Sequence, residues 1–105
     1  MKWFDTKEVD SFAQWVVSEL TQRLPPATLD TDDPKIPDRI RRMNEFISGR
    51  ATTFAMEQRP NFYKRARLAN KVKWGMREVG YTARFADTFS YELATLITVT
   101  ARRKR

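Results

Sequence analysis

The chain has 105 residues, with 20 Lys and Arg against 13 Asp and Glu, a formal net charge of +7, and neither His nor Cys. The length fits one domain, residues 1–105, able to bury a core of its own. The missing Cys and His exclude a disulfide framework, a thiolate nucleophile, a Cys-based zinc or iron–sulfur site, and the imidazole that most often shuttles protons or binds metal near neutral pH.

The first predicted helix spans 5–24. Asp5 stands at its cap with Glu8 three residues on, in capping-box spacing, and Phe4 and Val9 hold the staple positions. Val9, Phe12, Ala13, Val16, Val17, Leu20 and Leu24 recur at helical spacing until Pro25-Pro26 stops them. Glu19 and Arg23 form a favourable i,i+4 pair. Residues 25–36 then read as an acidic, Pro-rich linker.

A second helix is predicted over 37–58. Pro37 suits its first position and Asp38 the positive end of its dipole. Ile40, Met43, Ile47, Ala51 and Phe54 make its apolar stripe, with Gly49 inside the segment, where close packing on another helix would explain it. Pro60 ends it.

The third helix, 61–79, shows Phe62, Ala66, Ala69, Val72, Met76 and Val79 on one face, with Gly80 placed as its left-handed terminator and Tyr81 as the accompanying contact to Met76. Thr82 caps a fourth helix, 83–101, with Phe85, Phe89, Leu93, Leu96 and Ile97 inward. Thr95 to Thr100 has β propensity but no partner strand, so it stays helical. Residues 102–105 form a frayed basic tail. The expected fold is all-α, a small four-helix bundle. Short connections make helices 2, 3 and 4 an antiparallel array, and helix 1 covers its groove.

No apolar run reaches the eighteen or so residues that a membrane span needs. The start of the chain has no apolar stretch before its first acids, so no signal peptide is expected. A cytoplasmic location without integral membrane association follows as the expectation.

The charge is divided. Residues 1–38 carry a net −4 and residues 39–105 a net +11. Between Arg59 and Arg84 lie eight cations and the single acid Glu78. On a helical wheel Lys64, Arg67 and Lys71 fall opposite the apolar stripe, Tyr63 and Trp74 flank them, and Arg65, Lys73 and Arg77 lie nearer the boundary. A row of cations with interleaved aromatics suits a nucleic-acid backbone and its bases. The plainer reading is a solvated face, neutralised by the acidic segment 30–38, with the aromatics used for packing.

Other readings are weaker. The 78–82 turn has the spacing of a helix-turn-helix regulator. However, Met76 replaces the usual small residue and the following helix, starting Ala83-Arg84-Phe85, is poor in base-reading side chains. Asp30, Asp32 and Asp33 lack the glycine and glutamate of a calcium loop, so they read as turn chemistry. Glu45, Glu57, Glu78 and Glu92 suggest no catalytic pair, and three glycines, at 49, 75 and 80, form no phosphate loop. The expectation is a non-enzymatic binding module without cofactor or metal. Its partner would be nucleic acid or an acidic protein, or a second copy engaged through helix 1 or 2. Trp15, off the main stripe, would widen the core or anchor such a partner.

Overall fold

The four periodic segments form four α-helices: α1 Lys7–Arg23, α2 Ile36–Gln58, α3 Phe62–Val79 and α4 Ala83–Arg102, with a 3-10 turn Pro26–Asp30 in the linker. The structure is a computed structural model that describes residues 5–103. Residues 95–100 continue α4 without a break, and no strand occurs among the described residues.

Local chemistry explains each helix end. Thr6, not Asp5, holds the N-cap position of α1. The Thr6 hydroxyl donates to Asp10 Oδ2 (3.0 Å), while Asp5 Oδ1 accepts the Lys7 N–H (3.1 Å). The expected capping box with Glu8 therefore gives way to a turn one residue later, and Phe4 of the expected staple lies outside the described residues. Arg39 Nη2 caps the other end by donating to the Arg23 carbonyl (2.8 Å). In α2, Asp38 sits in the first turn, accepts from Arg41 and pairs with the charge of Arg42 (3.1 Å). That helix stops where Arg59 turns left-handed (φ 41°), because Pro60 bars residue 59 from helical geometry. Asn61 Oδ1 accepts the Lys64 N–H to start α3, and Thr82 Oγ1 accepts the Phe85 N–H to start α4. Gly80, at φ 123°, closes α3: the Tyr81 N–H reaches the Met76 carbonyl (3.0 Å) and the Gly80 N–H the Arg77 carbonyl (3.2 Å).

One core joins all four helices. Val9, Ala13, Val16 and Leu20 come from α1; Met43, Ile47, Ala51 and Ala55 from α2; Leu68, Val72 and Met76 from α3; Ala86, Phe89, Leu93 and Ile97 from α4. Fully buried side chains such as Leu20, Leu68 and Ile97 each contribute about 1.5–3 kcal/mol. Phe12 stacks on Phe54 (4.4 Å) and on Trp15 (5.6 Å), and Trp15 meets Phe46 (5.7 Å) beneath the Arg50 guanidinium. Trp15 thus extends the core along the α1–α2 seam.

Three expectations are corrected. Phe62 (75% exposed), Ala66 and Val79 do not lie on the buried face of α3; Leu68 does, with Val72 and Met76. In addition, α2 and α3 are not packed neighbours. Each packs on α1 and α4 instead, so they stand diagonally across the bundle. Asp10 pairs with Arg67 and Val17 lies beside Gly75, so α1 and α3 run parallel. Phe12 meets Phe54 and Trp15 meets Phe46, so α1 and α2 run antiparallel. The short loops fix direction, whereas side-chain burial decides adjacency. Gly49 has no atom within 4 Å of where a Cβ would stand, so close packing does not explain it.

Candidate nucleic-acid interface

Six cations and one acid lie within α3, and the buried Leu68–Val72–Met76 face sets where each points. Lys64 turns toward the start of α1, beside Asp5 and Glu8. Arg65 Nη1 donates to the Pro60 carbonyl (2.8 Å). Arg67 grips Asp10 through Nε (2.8 Å) and Nη2 (3.1 Å), with both side chains partly exposed. That grip holds the Asp10 carboxyl below the usual carboxylate value. Burial works against the shift, and the Thr6 hydroxyl and the charge of Lys71 add to it. The same pairing, with a smaller contribution from Tyr63, raises Arg67 above its ordinary value.

The remaining sequence-predicted residues gather around Trp74, whose indole is 55% exposed. Lys73 Nζ lies 4.9 Å and the Arg77 guanidinium 6.0 Å from its ring centre. Lys73 also stands 3.8 Å from Asp87 of α4. Lys71, one turn before Trp74, is exposed at the α1 edge of the helix. The structure therefore places Lys73 and Arg77 near the ring of Trp74 and Lys71 on the other side of that ring, at the α1–α3 groove, with the half-exposed Tyr63 further along the helix. Lys64 and Arg65 stand apart from that group.

The acidic linker does not cover this face. Pro26 and Leu29 pack at the α3–α4 corner with Gly80, Tyr81 and Phe85. The Tyr81 hydroxyl donates to the buried Leu24 carbonyl (2.7 Å), which ties the corner to the end of α1. Asp33 Oδ1 accepts the Lys35 N–H, and the Thr31 hydroxyl donates to the Thr28 carbonyl, so this segment performs turn chemistry. Among the described residues, neither Asp30, Asp32 nor Asp33 forms an ion pair. Nor do the described residues hold any cluster of three or more acidic side chains placed to bind a metal ion.

Beside Trp74 an open groove of about 880 Å³ runs between α1 and α3. Ala13, Val17, Gly75 and Val79 supply apolar lining, and Gln14, Ser18, Gln22 and Asn70 supply neutral polar groups. Gly75 permits the close helix approach: a Cβ there would stand 3.0 Å from Val17 Cγ2. Reading the sequence for charge missed this groove. Its trace was present as the uncharged polar set Gln14, Ser18 and Gln22 at i, i+4 and i+8.

No protein family, curated protein or solved structure matches the chain. The architecture is that of a small all-α four-helix bundle, and no helix among the described residues is long and apolar enough to cross a membrane.

Proposed function

We propose that this chain is a non-enzymatic, cytoplasmic binding module that takes up nucleic acid through the exposed face of α3. The observation that carries the reading is the exposed Trp74 flanked by Lys71, Lys73 and Arg77, on a helix that the acidic linker leaves uncovered. Cations spaced along a helix neutralise successive phosphates and release their counterions, and an exposed indole offers a stacking surface for bases. Of the six cations in α3, Arg67 is held by Asp10 at two points and Lys73 stands 3.8 Å from Asp87, whereas the other four form no ion pair among the described residues.

The experiment is a salt titration of binding to generic DNA or RNA, read by fluorescence anisotropy. Affinity should fall linearly on a log–log scale, and Lys71→Ala/Lys73→Ala/Arg77→Ala should flatten the slope by about 0.9 for each phosphate contact removed. Absence of binding at low salt would overturn the reading.

A second reading, a homodimer, is favoured by the solvent face of α2. There Met56 is 58% exposed and Gly49 meets nothing. A monomer by light scattering at high concentration rules it out.

A further inference from the structure

The α1–α3 groove supports an inference that rests on the nucleic-acid reading and sharpens it to a substrate class. We infer that this groove receives unpaired bases, so that the protein prefers single-stranded nucleic acid to duplex.

The charges are arranged for it. Within the groove lining, Asp10 is already paired with Arg67, and the two remaining charged residues, Lys71 and Glu78, carry opposite signs and stand about 10 Å apart along the helix at 1.5 Å per residue. The trough is therefore close to neutral, with apolar side chains beside uncharged amide and hydroxyl groups. A polyanionic backbone gains little from such a surface. Bases gain both stacking and hydrogen bonds, because Gln14, Gln22 and Asn70 offer donors and acceptors together and Ser18 a hydroxyl. The cations lie along one edge and beyond it: Lys71 at the rim, with Lys73 and Arg77 near the ring of Trp74. A strand with its phosphates on this cationic ridge would turn its bases past Trp74 into the trough. A duplex, with its bases paired inside, could use the ridge alone.

Size agrees with charge. The lining runs from Asp10 to Gln22 along α1, a rise of roughly 18 Å at 1.5 Å per residue. That is enough for a few successive bases. The volume of about 880 Å³ lies within the range of sites that enclose small organic groups. An acidic peptide, the competing occupant, would meet the same ridge and hydrogen-bond the trough through its backbone, but its carboxylate side chains offer no ring to stack beside Trp74. Glu78, at the far end beside Gln22 and Val79, would repel a phosphate there.

The test compares an oligo-dT 12-mer, a 12-base-pair duplex and a poly-glutamate peptide at equal low salt, using the full chain. Four proteins are compared: the parent, Trp74→Ala, Ser18→Trp and Lys71→Ala/Arg77→Ala. Ser18 is exposed, so its replacement fills the trough without disturbing the core, and circular dichroism confirms each variant folded. The expected result is tighter binding of the single strand than of the duplex. Trp74→Ala should cost about 5- to 150-fold on the single strand, the loss of one stacked base. Ser18→Trp should bring single-strand affinity down to the duplex level and leave duplex affinity unchanged.

Equal binding of single strand and duplex, both weakened by Lys71→Ala/Arg77→Ala and neither by Ser18→Trp, would overturn this inference and leave the proposed function intact. Poly-glutamate binding as tightly as oligo-dT, with the same sensitivity to Ser18→Trp, would overturn it in favour of an acidic protein partner. No binding of either nucleic acid would overturn both.

Discussion

Replacing Leu68 and Phe62 separately by Ala tests the rotation of α3 about its own axis, and the placement of the cations depends on that rotation. Leu68 is 1% exposed and Phe62 75% exposed. Leu68→Ala leaves a cavity among Val72, Met76 and their neighbours, a change that costs about 3–5 kcal/mol in well-packed cores. For a chain of this length each kcal/mol moves Tm by about 4–5 °C, so Leu68→Ala should lower it by roughly 12–25 °C. Phe62→Ala removes a ring that solvent already reaches and should stay within about 0.5 kcal/mol, or 2 °C. Thermal melts followed by far-ultraviolet circular dichroism, repeated as urea titrations, measure both. The reverse ranking, with Phe62→Ala the costlier, would rule out this orientation of α3. It would mean that α3 buries Phe62 and Ala66, and would swing Lys71 and Trp74 away from the groove.

Three further predictions concern stability. Gly49→Ala should stabilise the protein by about 1 kcal/mol in urea titration, because a methyl group there meets no neighbour and the helix interior favours Ala. Tyr81→Phe should cost about 1–3 kcal/mol by the same assay, since it strands the buried Leu24 carbonyl that the hydroxyl now serves. Asp10, with its pKa lowered chiefly by Arg67, contributes stability that is complete above about pH 5 and is lost as the pH falls through 3.8 and below. The melting temperatures of the parent and Asp10→Asn should therefore differ at neutral pH and converge in acid.

Much of the fold was legible because each helix carries its own punctuation. Pro25, Pro60 and Gly80 mark ends, and Asn61 and Thr82 mark starts, through local hydrogen bonds that need no tertiary information. The rotation of α3 was less legible. Phe62, Ala66 and Ala69 make a plausible stripe, yet the buried face is turned by about 40° at 100° per residue. Two contacts with α1 favour the observed rotation: Gly75 against Val17 and Arg67 on Asp10. Both join residues more than fifty positions apart, so no periodicity within α3 contains them. Adjacency failed for a related reason. A three-residue loop at 59–61 requires α2 and α3 to reverse direction, but it does not prevent α1 and α4 from filling the space between them. At the site, Trp74 and its cations were legible from spacing, whereas the groove required knowing which helix lies alongside α3.

The separation of a −4 segment from a +11 segment overstates how much positive surface is open to a ligand. Arginine accounts for much of the difference. Arg39, Arg59 and Arg65 donate to the carbonyls of Arg23, Ala101 and Pro60, and Arg67 is clasped by Asp10. The planar fork of a guanidinium suits it to such fixed partners. Around Trp74 this leaves Lys71 and Arg77 for phosphates, with Lys73 shared with Asp87 at 3.8 Å. Three phosphate contacts on a duplex imply a salt slope near −2.7, and hence a loss of about 40-fold in affinity between 50 and 200 mM salt. A slope near −10 would require most of the basic residues at once, including those already holding carbonyls. It would therefore place the contact on some surface other than the face of α3.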